Sequence, residues 1–283
     1  MIRAAKFSVQ LAALILAMSA LTFSQSPSQD QDGGFIDGRL RVADQASAEQ
    51  PHWIAPLFTT TPRLLEQLRY DVSEQPKGAF DTTNFGGGKG LELIPTHNTE
   101  LLVSTPVLVS HTKPGVPDGI GDMSFLFKYR IAARNEQSGN FIVTAFLGAT
   151  VPTGSHSNGA TSAVITPTIA LGKGWGRFDF QTTAGVSLPT QHADKLGNPF
   201  SHNIAFQYRL WKILWPELEV NSTFWANGTQ AGDKQVFLSP GVMLGKMHLW
   251  KRLNMSIGEG VQIPVTHFHT VDRTWLTSVR FPF

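Results

Sequence analysis

From about residue 63 to its end, the chain runs in short segments that alternate apolar and polar residues between Gly, Pro, Asn and Asp. That period of two is the mark of strands with two unlike faces. In 122–131, Met123, Phe125, Phe127, Tyr129 and Ile131 share one face, while Asp122, Ser124, Leu126, Lys128 and Arg130 share the other. In 177–186, Phe178, Phe180, Thr182, Ala184 and Val186 oppose Arg177, Asp179, Gln181, Thr183 and Gly185. Such segments predict twelve strands, at 63–72, 90–96, 99–109, 121–132, 140–151, 162–171, 176–188, 200–211, 216–225, 235–246, 250–263 and 273–283. No segment has the spacing of an amphipathic helix. Residues 25–62 are rich in Ser, Gln, Asp, Gly, Pro and Thr, with one apolar island at Trp53–Phe58, and predict an irregular N-terminal arm.

The connections alternate in length. Even-numbered ones are mostly tight, near His97-Asn98, Gly172–Trp175 and Met247–Leu249, with 133–139 the longest. Odd-numbered ones, at 73–89, 110–120, 152–161, 189–199, 226–234 and 264–272, are generally longer and rich in Gly, Pro and polar residues. An even strand number with short turns at one end and long loops at the other is the layout of a bacterial outer-membrane barrel, with both termini on the periplasmic side. Val151-Pro152-Thr153, Leu188-Pro189-Thr190 and Ile263-Pro264-Val265-Thr266 each stand at a strand exit, where a residue unable to donate to the ladder is tolerated.

Lipid supplies no hydrogen bonds, so the more apolar face of each strand points outward. The inward set is then Arg69, Asp71, Glu92, Glu100, Lys128, Arg130, Arg177, Asp179, Arg209, Glu217, Glu219 and Arg280. Away from strand ends, Glu66 and Glu259 alone fall on the apolar face. Trp175, Trp211, Trp215, Trp225, Trp250 and Trp275 lie near strand ends or in turns, as the aromatic girdles of a membrane barrel require.

Composition narrows the classes. The 283 residues contain no Cys, which removes disulfides, Cys-ligated zinc, iron–sulfur clusters and a thiol nucleophile. Charged residues make up 16%, well below the roughly 25% of soluble domains, yet the apolar runs of a helical membrane protein are missing. A mean hydropathy of −0.07 suits opposed faces, one apolar and one polar. Residues 1–24 predict a cleaved secretory signal peptide: a basic start at Arg3 and Lys6, an apolar run from Phe7 to Phe23, and small residues at Ala17, Ser19, Ala20 and Ser24. Removing Arg3 and Lys6 from 23 basic residues leaves 21 against 21 acidic ones, so the mature chain is neutral and nucleic acid is no expected partner. The expected division is signal peptide 1–24, arm 25–62 and barrel 63–283.

The last residues alternate up to a terminal Phe, with Trp275, Thr277, Val279, Phe281 and Phe283 on one face. This resembles the C-terminal signal read by the barrel-assembly machinery of Gram-negative bacteria, with Trp275, Val279, Phe281 and Phe283 as its residues. Further segments resemble the outer-membrane transporters grouped as the phenol-degradation meta-pathway family: Thr61-Pro62-Arg63-Leu64-Leu65-Glu66-Gln67, Asp118-Gly119-Ile120-Gly121-Asp122-Met123-Ser124 running into Lys128-Tyr129-Arg130, and Val151-Pro152-Thr153-Gly154. The resemblance runs from Trp53 onward and implies a barrel associated with uptake of hydrophobic or aromatic compounds.

Catalytic patterns are weak. Ser155-His156-Ser157-Asn158 approaches the His-x-Ser-Asn setting of lipid A deacylases, but is off by one residue and falls in a Gly-flanked loop, where a base cannot hold a fixed distance to its nucleophile. His267 and His269, with His111, His156, His192 and His202, read as solvated histidines near loops and strand ends rather than metal ligands, and Gly86-Gly87-Gly88 as a loop tip.

The expectation is an all-β, twelve-stranded antiparallel outer-membrane barrel, porin-like in transport, with no cofactor, metal or covalent chemistry. Its lumen passes small molecules passively, gated by the arm and outer loops, with Trp53 and Phe58 as an apolar plug. A wall of both charge signs favours polar solutes, so hydrophobic ones leave sideways into lipid or the charges pair to hold the barrel. The alternatives are a structural or adhesive barrel without transport, or an outer-membrane lipid-modifying hydrolase. Expected partners are outer-membrane lipids and lipopolysaccharide, the assembly machinery and a small-molecule solute; the oligomeric state is open.

Overall fold

The computed structural model describes residues 34–283 apart from Gly88, and not the side chains of Phe35 and Ile36. The expected signal peptide, 1–24, and arm residues 25–33 lie outside the described residues. The chain divides after Gly38; the first unit is described only over residues 34–38, where helix α1 (Phe35–Ala48) begins. The second unit, Arg39–Phe283, carries the rest of α1, an extended segment and a closed barrel.

The barrel wall is one antiparallel sheet. Its strands are β1 (Gln67–Lys77), β2 (Phe80–Phe85), β3 (Gly90–Thr96), β4 (Thr99–Ser104), β5 (Leu108–His111), β6 (Gly119–Ile120), β7 (Met123–Arg134) and β8 (Phe141–Val151). They continue through β9 (Val164–Trp175), β10 (Phe178–Val186), β11 (Leu188–Pro189), β12 (Phe200–Tyr208), β13 (Leu214–Phe224), β14 (Lys234–Trp250), β15 (Leu253–Pro264) and β16 (Thr274–Pro282). A four-residue helix, α2 (Ala193–Leu196), sits in the loop before β12. Several are pieces of one wall strand: β2 with β3, β4 with β5, β6 with β7 and β10 with β11, which makes twelve spans. The last span closes on the first, with Arg69 opposite Arg280 and Glu74 opposite Trp275.

Alternation sets the two faces as expected. On β7, Lys128 and Arg130 are 1% and 4% exposed, while their neighbours Phe127 and Tyr129 are 41% and 48% exposed. A charged interior inside an apolar skin is stable in hydrocarbon, where exposed backbone and charge find no partner.

Several expectations are corrected. The first connection is not a long loop over 73–89: β1 runs to Lys77, turns at Gly78-Ala79 and pairs Val72 with Phe85 through Lys77 with Phe80. Its polar residues hid a hairpin. Gly86 and Gly87 are not a loop tip; they break the second span between β2 and β3 at φ 87° and 86°, where the Gly86 N–H donates to the Asp71 carbonyl at 2.7 Å. Position 63 precedes the wall, which starts at Gln67. Glu66 is therefore not lipid-facing; it lies ahead of β1 and pairs with Arg39 at 2.6 Å. Glu259 does point outward, opposite Val242 and Thr277.

The arm is not wholly irregular, because 35–48 is the helix α1. Its packed residues are small: Ala43 and Ala46 sit on Leu64 and Ile94. Two tryptophans depart from the girdle. Trp215 faces inward and is buried with Trp53, and Trp225 packs edge-on against Phe268 among the loops, their centroids 5.5 Å apart. Trp175, Trp211, Trp250 and Trp275 are exposed at the rims.

Candidate functional site

After α1, residues 50–65 thread the inside of the barrel, and the inward charges of the wall bind their backbone. Arg69 on β1 donates to the carbonyls of Pro56 at 3.3 Å and Leu57 at 2.5 Å. Arg280 on β16 donates to those of Ala55 and Pro56. Across the lumen, Glu217 accepts the Leu57 N–H at 3.0 Å, and Glu219 accepts those of Phe58 and Thr59 at 2.8 and 2.5 Å. Lys128 donates to the Arg63 carbonyl at 3.0 Å and pairs with Glu100 at 2.9 Å; Glu100 also accepts the Leu65 N–H. An extended segment exposes donors and acceptors alternately, so a wall of both signs is what holds it.

Other wall charges satisfy one another. Asp71 takes the Arg69 Nε at 2.8 Å, Glu92 accepts from Gln67 at 3.0 Å, and Asp179 accepts from Gln181 at 3.0 Å. Arg130 binds the C-terminal end of α1, donating to the Ala46 carbonyl at 2.6 Å and to Glu49 at 2.8 Å. Cations there also favour the negative end of the helix dipole. Two members of the expected inward set stand elsewhere. Arg177 is exposed in the Gly176-Arg177 turn, and Arg209 is exposed past the end of β12 with its guanidinium 5.8 Å from the Trp215 ring.

The apolar half of the segment fills what the charges leave. Trp53, Ile54 and Leu57 pack with Ile142, Trp215, Met243 and Leu276, and Phe58 packs against this cluster half-buried. The wall makes room with glycine. A Cβ on Gly172 would lie 2.6 Å from the Trp53 ring, and one on Gly241 or Gly260 2.6 or 2.8 Å from Leu57 Cδ1. Trp53 and Phe58, the expected plug residues, thus both sit in this core, Trp53 the deeper of the two.

Residues missed in the sequence complete the seat. Gln50 and Leu64 bond reciprocally, side-chain amide to backbone carbonyl at 2.7 Å and backbone N–H to side-chain oxygen at 2.9 Å. Arg63 Nη1 donates to the Trp53 carbonyl, Gln181 to that of Ile54 at 3.1 Å, and Thr144 to that of Pro62 at 2.6 Å. No periodicity marks such contacts, although Arg63 falls within the Thr61–Gln67 motif.

Outside the wall, α1 and His52, four residues past its end, are each fastened. Asp44 and Arg252, in the β14–β15 turn, form a two-pronged pair at 2.6 and 2.8 Å. The Arg252 hydrogen bonds hold the Asp44 carboxyl below its ordinary value. Glu136 accepts the His52 backbone N–H at 2.5 Å and meets its ring at 2.9 Å. Burial raises the Glu136 carboxyl, but the bonds from His52 outweigh it and leave it below the ordinary value.

The histidines are dispersed. His111 meets Asn158 at 2.6 Å and Thr82 at 3.2 Å, His202 meets Thr182 at 3.2 Å, and His269 lies 3.6 Å from Asp272. In the Ser155–Asn158 loop, Ser155 Oγ accepts the Ile120 N–H at 2.8 Å and Asn158 donates to the Pro117 carbonyl at 3.2 Å, so both residues fasten the loop to β6 and its approach.

Residues 64–244 match the family model described as "Putative MetA-pathway of phenol degradation". No curated protein matches the sequence. Among solved structures, the barrel is similar to an outer membrane channel from Pseudomonas putida F1, at 12% identity and a TM-score of 0.52, over 76% of this chain and 92% of that one. It also aligns with OmpF of Salmonella typhi (8% identity, TM-score 0.37, 77% of this chain and 96% of that one). A third is the outer membrane protein OpdK of Pseudomonas aeruginosa (12% identity, TM-score 0.34, 78% and 71%).

Proposed function

Since the chain belongs to this phenol-degradation family of outer-membrane barrels, we propose that it is an outer-membrane channel through which small hydrophobic or aromatic molecules pass passively, kept shut by residues 50–65. One observation carries the reading: the wall charges are occupied by the backbone of the arm. Arg69, Arg280, Glu217, Glu219 and Lys128 all bind it directly. A wall of fixed charge would select polar solutes, but one masked by peptide is far less hostile to apolar ones, and Trp53, Ile54 and Leu57 of the arm add an apolar cluster inside the barrel.

Sideways passage into lipid is favoured by the broken wall beside β1. Toward its next neighbour β1 pairs with β3 only at Gln67 and Leu68 and with β2 only from Val72 onward, so Arg69 and Tyr70 have no ladder partner on that side. The second span is broken there, β2 ending at Phe85 and β3 starting at Gly90, and Lys89 reaches in to Thr60 at 2.6 Å. The arm therefore closes both routes.

Planar-bilayer recording tests the reading. The full chain is expected to conduct in rare, small steps, and a variant lacking residues 35–60 in larger and more frequent ones. A folded barrel that conducts in neither form overturns it and leaves a structural or adhesive barrel.

A further inference from the structure

The short-turn end of the barrel encloses a cavity of about 520 Å³ between the arm and β13–β16, within the roughly 300–1,000 Å³ of small-molecule sites. Its charge is one-sided. Six cationic side chains line it, Arg63, Arg209, Lys212, Lys246, Arg252 and Arg280, against two acidic side chains, Asp44 and Glu66. Both are already engaged, Asp44 by Arg252 and Glu66 by Arg39. Arg280 is turned to the carbonyls of Ala55 and Pro56. Arg63, Arg209, Lys212 and Lys246 have no ion-pair partner among the described residues.

Two of these four are placed at a cost to the fold. Arg63 is 3% exposed, and its Nε has no hydrogen-bond partner, a penalty that an acceptor in the cavity would remove. Lys246 stands in a bulge of β14, where the register passes from Leu244 opposite Ile257 to Met247 opposite Met255, so that Gly245 and Lys246 together face Ser256. Its φ of 38° is left-handed. Bulges of this kind re-aim a side chain, here one that lines the cavity. Aromatic faces complete the lining: Trp53 and Trp215 belong to one buried cluster, and the Arg209 guanidinium lies 5.8 Å from the Trp215 ring.

We propose that this cavity binds a small aromatic carboxylate, its carboxylate meeting Arg63 and Lys246 and its ring lying against Trp53 and Trp215. Paired guanidinium and ammonium donors suit a carboxylate, and the indoles suit a ring. Arg209 and Lys212, both exposed, give the approach a positive field that draws anions in. The proposal deepens the channel reading by naming its solute. Equilibrium binding to the closed protein is read without conductance, so absent binding overturns the site alone, whereas absent conductance after arm deletion overturns the channel alone.

The test is calorimetric titration of the full chain in lipid nanodiscs with benzoate, with neutral benzyl alcohol and with inorganic phosphate. Benzoate is expected to saturate one site with a dissociation constant at least ten-fold lower than either of the others. Arg209→Gln and Lys246→Gln, each checked for a folded barrel by heat-modifiable gel migration, are each expected to weaken benzoate several-fold, and together at least ten-fold. Benzyl alcohol binding as tightly as benzoate removes the ionic half of the proposal and overturns it. Phosphate binding as tightly removes the aromatic half and does the same. Unchanged benzoate binding in the double variant, or no saturable binding at all, also overturns it.

Discussion

The carboxylate of Glu219 clasps the backbone at Thr59: one oxygen accepts the Thr59 N–H at 2.5 Å, the other that of Phe58 at 2.8 Å. One wall side chain thus fixes two successive peptides of a segment 160 residues away. Glu219→Ala is expected to lose two charge-assisted bonds, each worth about 1.5–3 kcal/mol, and Glu219→Gln to keep one acceptor. Single-channel open probability should rise in the order wild type, Gln, Ala, by about ten-fold or more for Ala, since about 1.4 kcal/mol is a factor of ten. Three indistinguishable traces would mean that this clasp does not hold the gate.

Leu57 sits where glycines let the wall come close. Gly260→Ala would place a methyl 2.8 Å from Leu57 Cδ1, an overpacking expected to cost about 1–3 kcal/mol. Leu57→Ala alone, by opening a cavity, is expected to cost about 2–5 kcal/mol. Combined, the two should be less harmful than their sum, because the smaller side chain makes room for the methyl. Thermal unfolding of the four proteins closes the cycle, and strict additivity would separate Leu57 from Gly260.

Acid should loosen the fastening of α1 and of His52. Asp44 and Glu136 are both held below their ordinary values in the folded state. Such groups stabilise the docked form above the unfolded carboxyl value of about 4 and lose that contribution as pH falls below it. Hydrogen exchange over the arm is expected to quicken between about pH 5 and 3. The decisive comparison is with the Asp44→Asn, Glu136→Gln variant, whose arm should show a flatter profile. An arm that tightens as pH drops would contradict the sign.

The proposed role of the last strand in assembly concerns Trp275, Val279, Phe281 and Phe283. In the wall, β16 pairs on both sides, and the Phe283 N–H donates to the Glu66 carbonyl at 3.1 Å. Deleting Phe283 is expected to lower the amount of folded barrel in the outer membrane several-fold while leaving refolding of purified chain into detergent unchanged. Equal losses in both assays would assign the residue to stability rather than to recognition.

How much of this was legible in the sequence depends on where the side chains point. The wall was readable because lipid on one side and charge on the other force a strict alternation, as at Phe127 and Lys128. Elements without that contrast were hidden. In β2, Phe-Asp-Thr-Thr-Asn-Phe, neither face is apolar, and the segment read as loop. In α1 the buried positions are Ala43 and Ala46, too small to raise a stripe against Asp44, Gln45 and Ser47. The candidate site was half visible. Its charges were identified by face, but not their partners, which are backbone groups that every residue type carries alike. Trp215, at the start of β13 beside the exposed Trp211, looks like a girdle residue until the cluster with Trp53 is seen.

Residues that grip the arm are spread over the length of the chain: Arg69 early, Glu217 and Glu219 late, Arg280 three residues from the end. Their partners at 55–59 emerge first in synthesis and bind across separations of up to 225 residues. Loop closure on that scale is entropically costly and slow. The seated arm is therefore a late event in folding, completed only when β16 meets β1, and the same step that seals the wall supplies Arg280 to lock the segment inside it. In the gated-channel reading proposed above, closure of the cylinder and closure of the passage are one transition, and such a barrel is born shut.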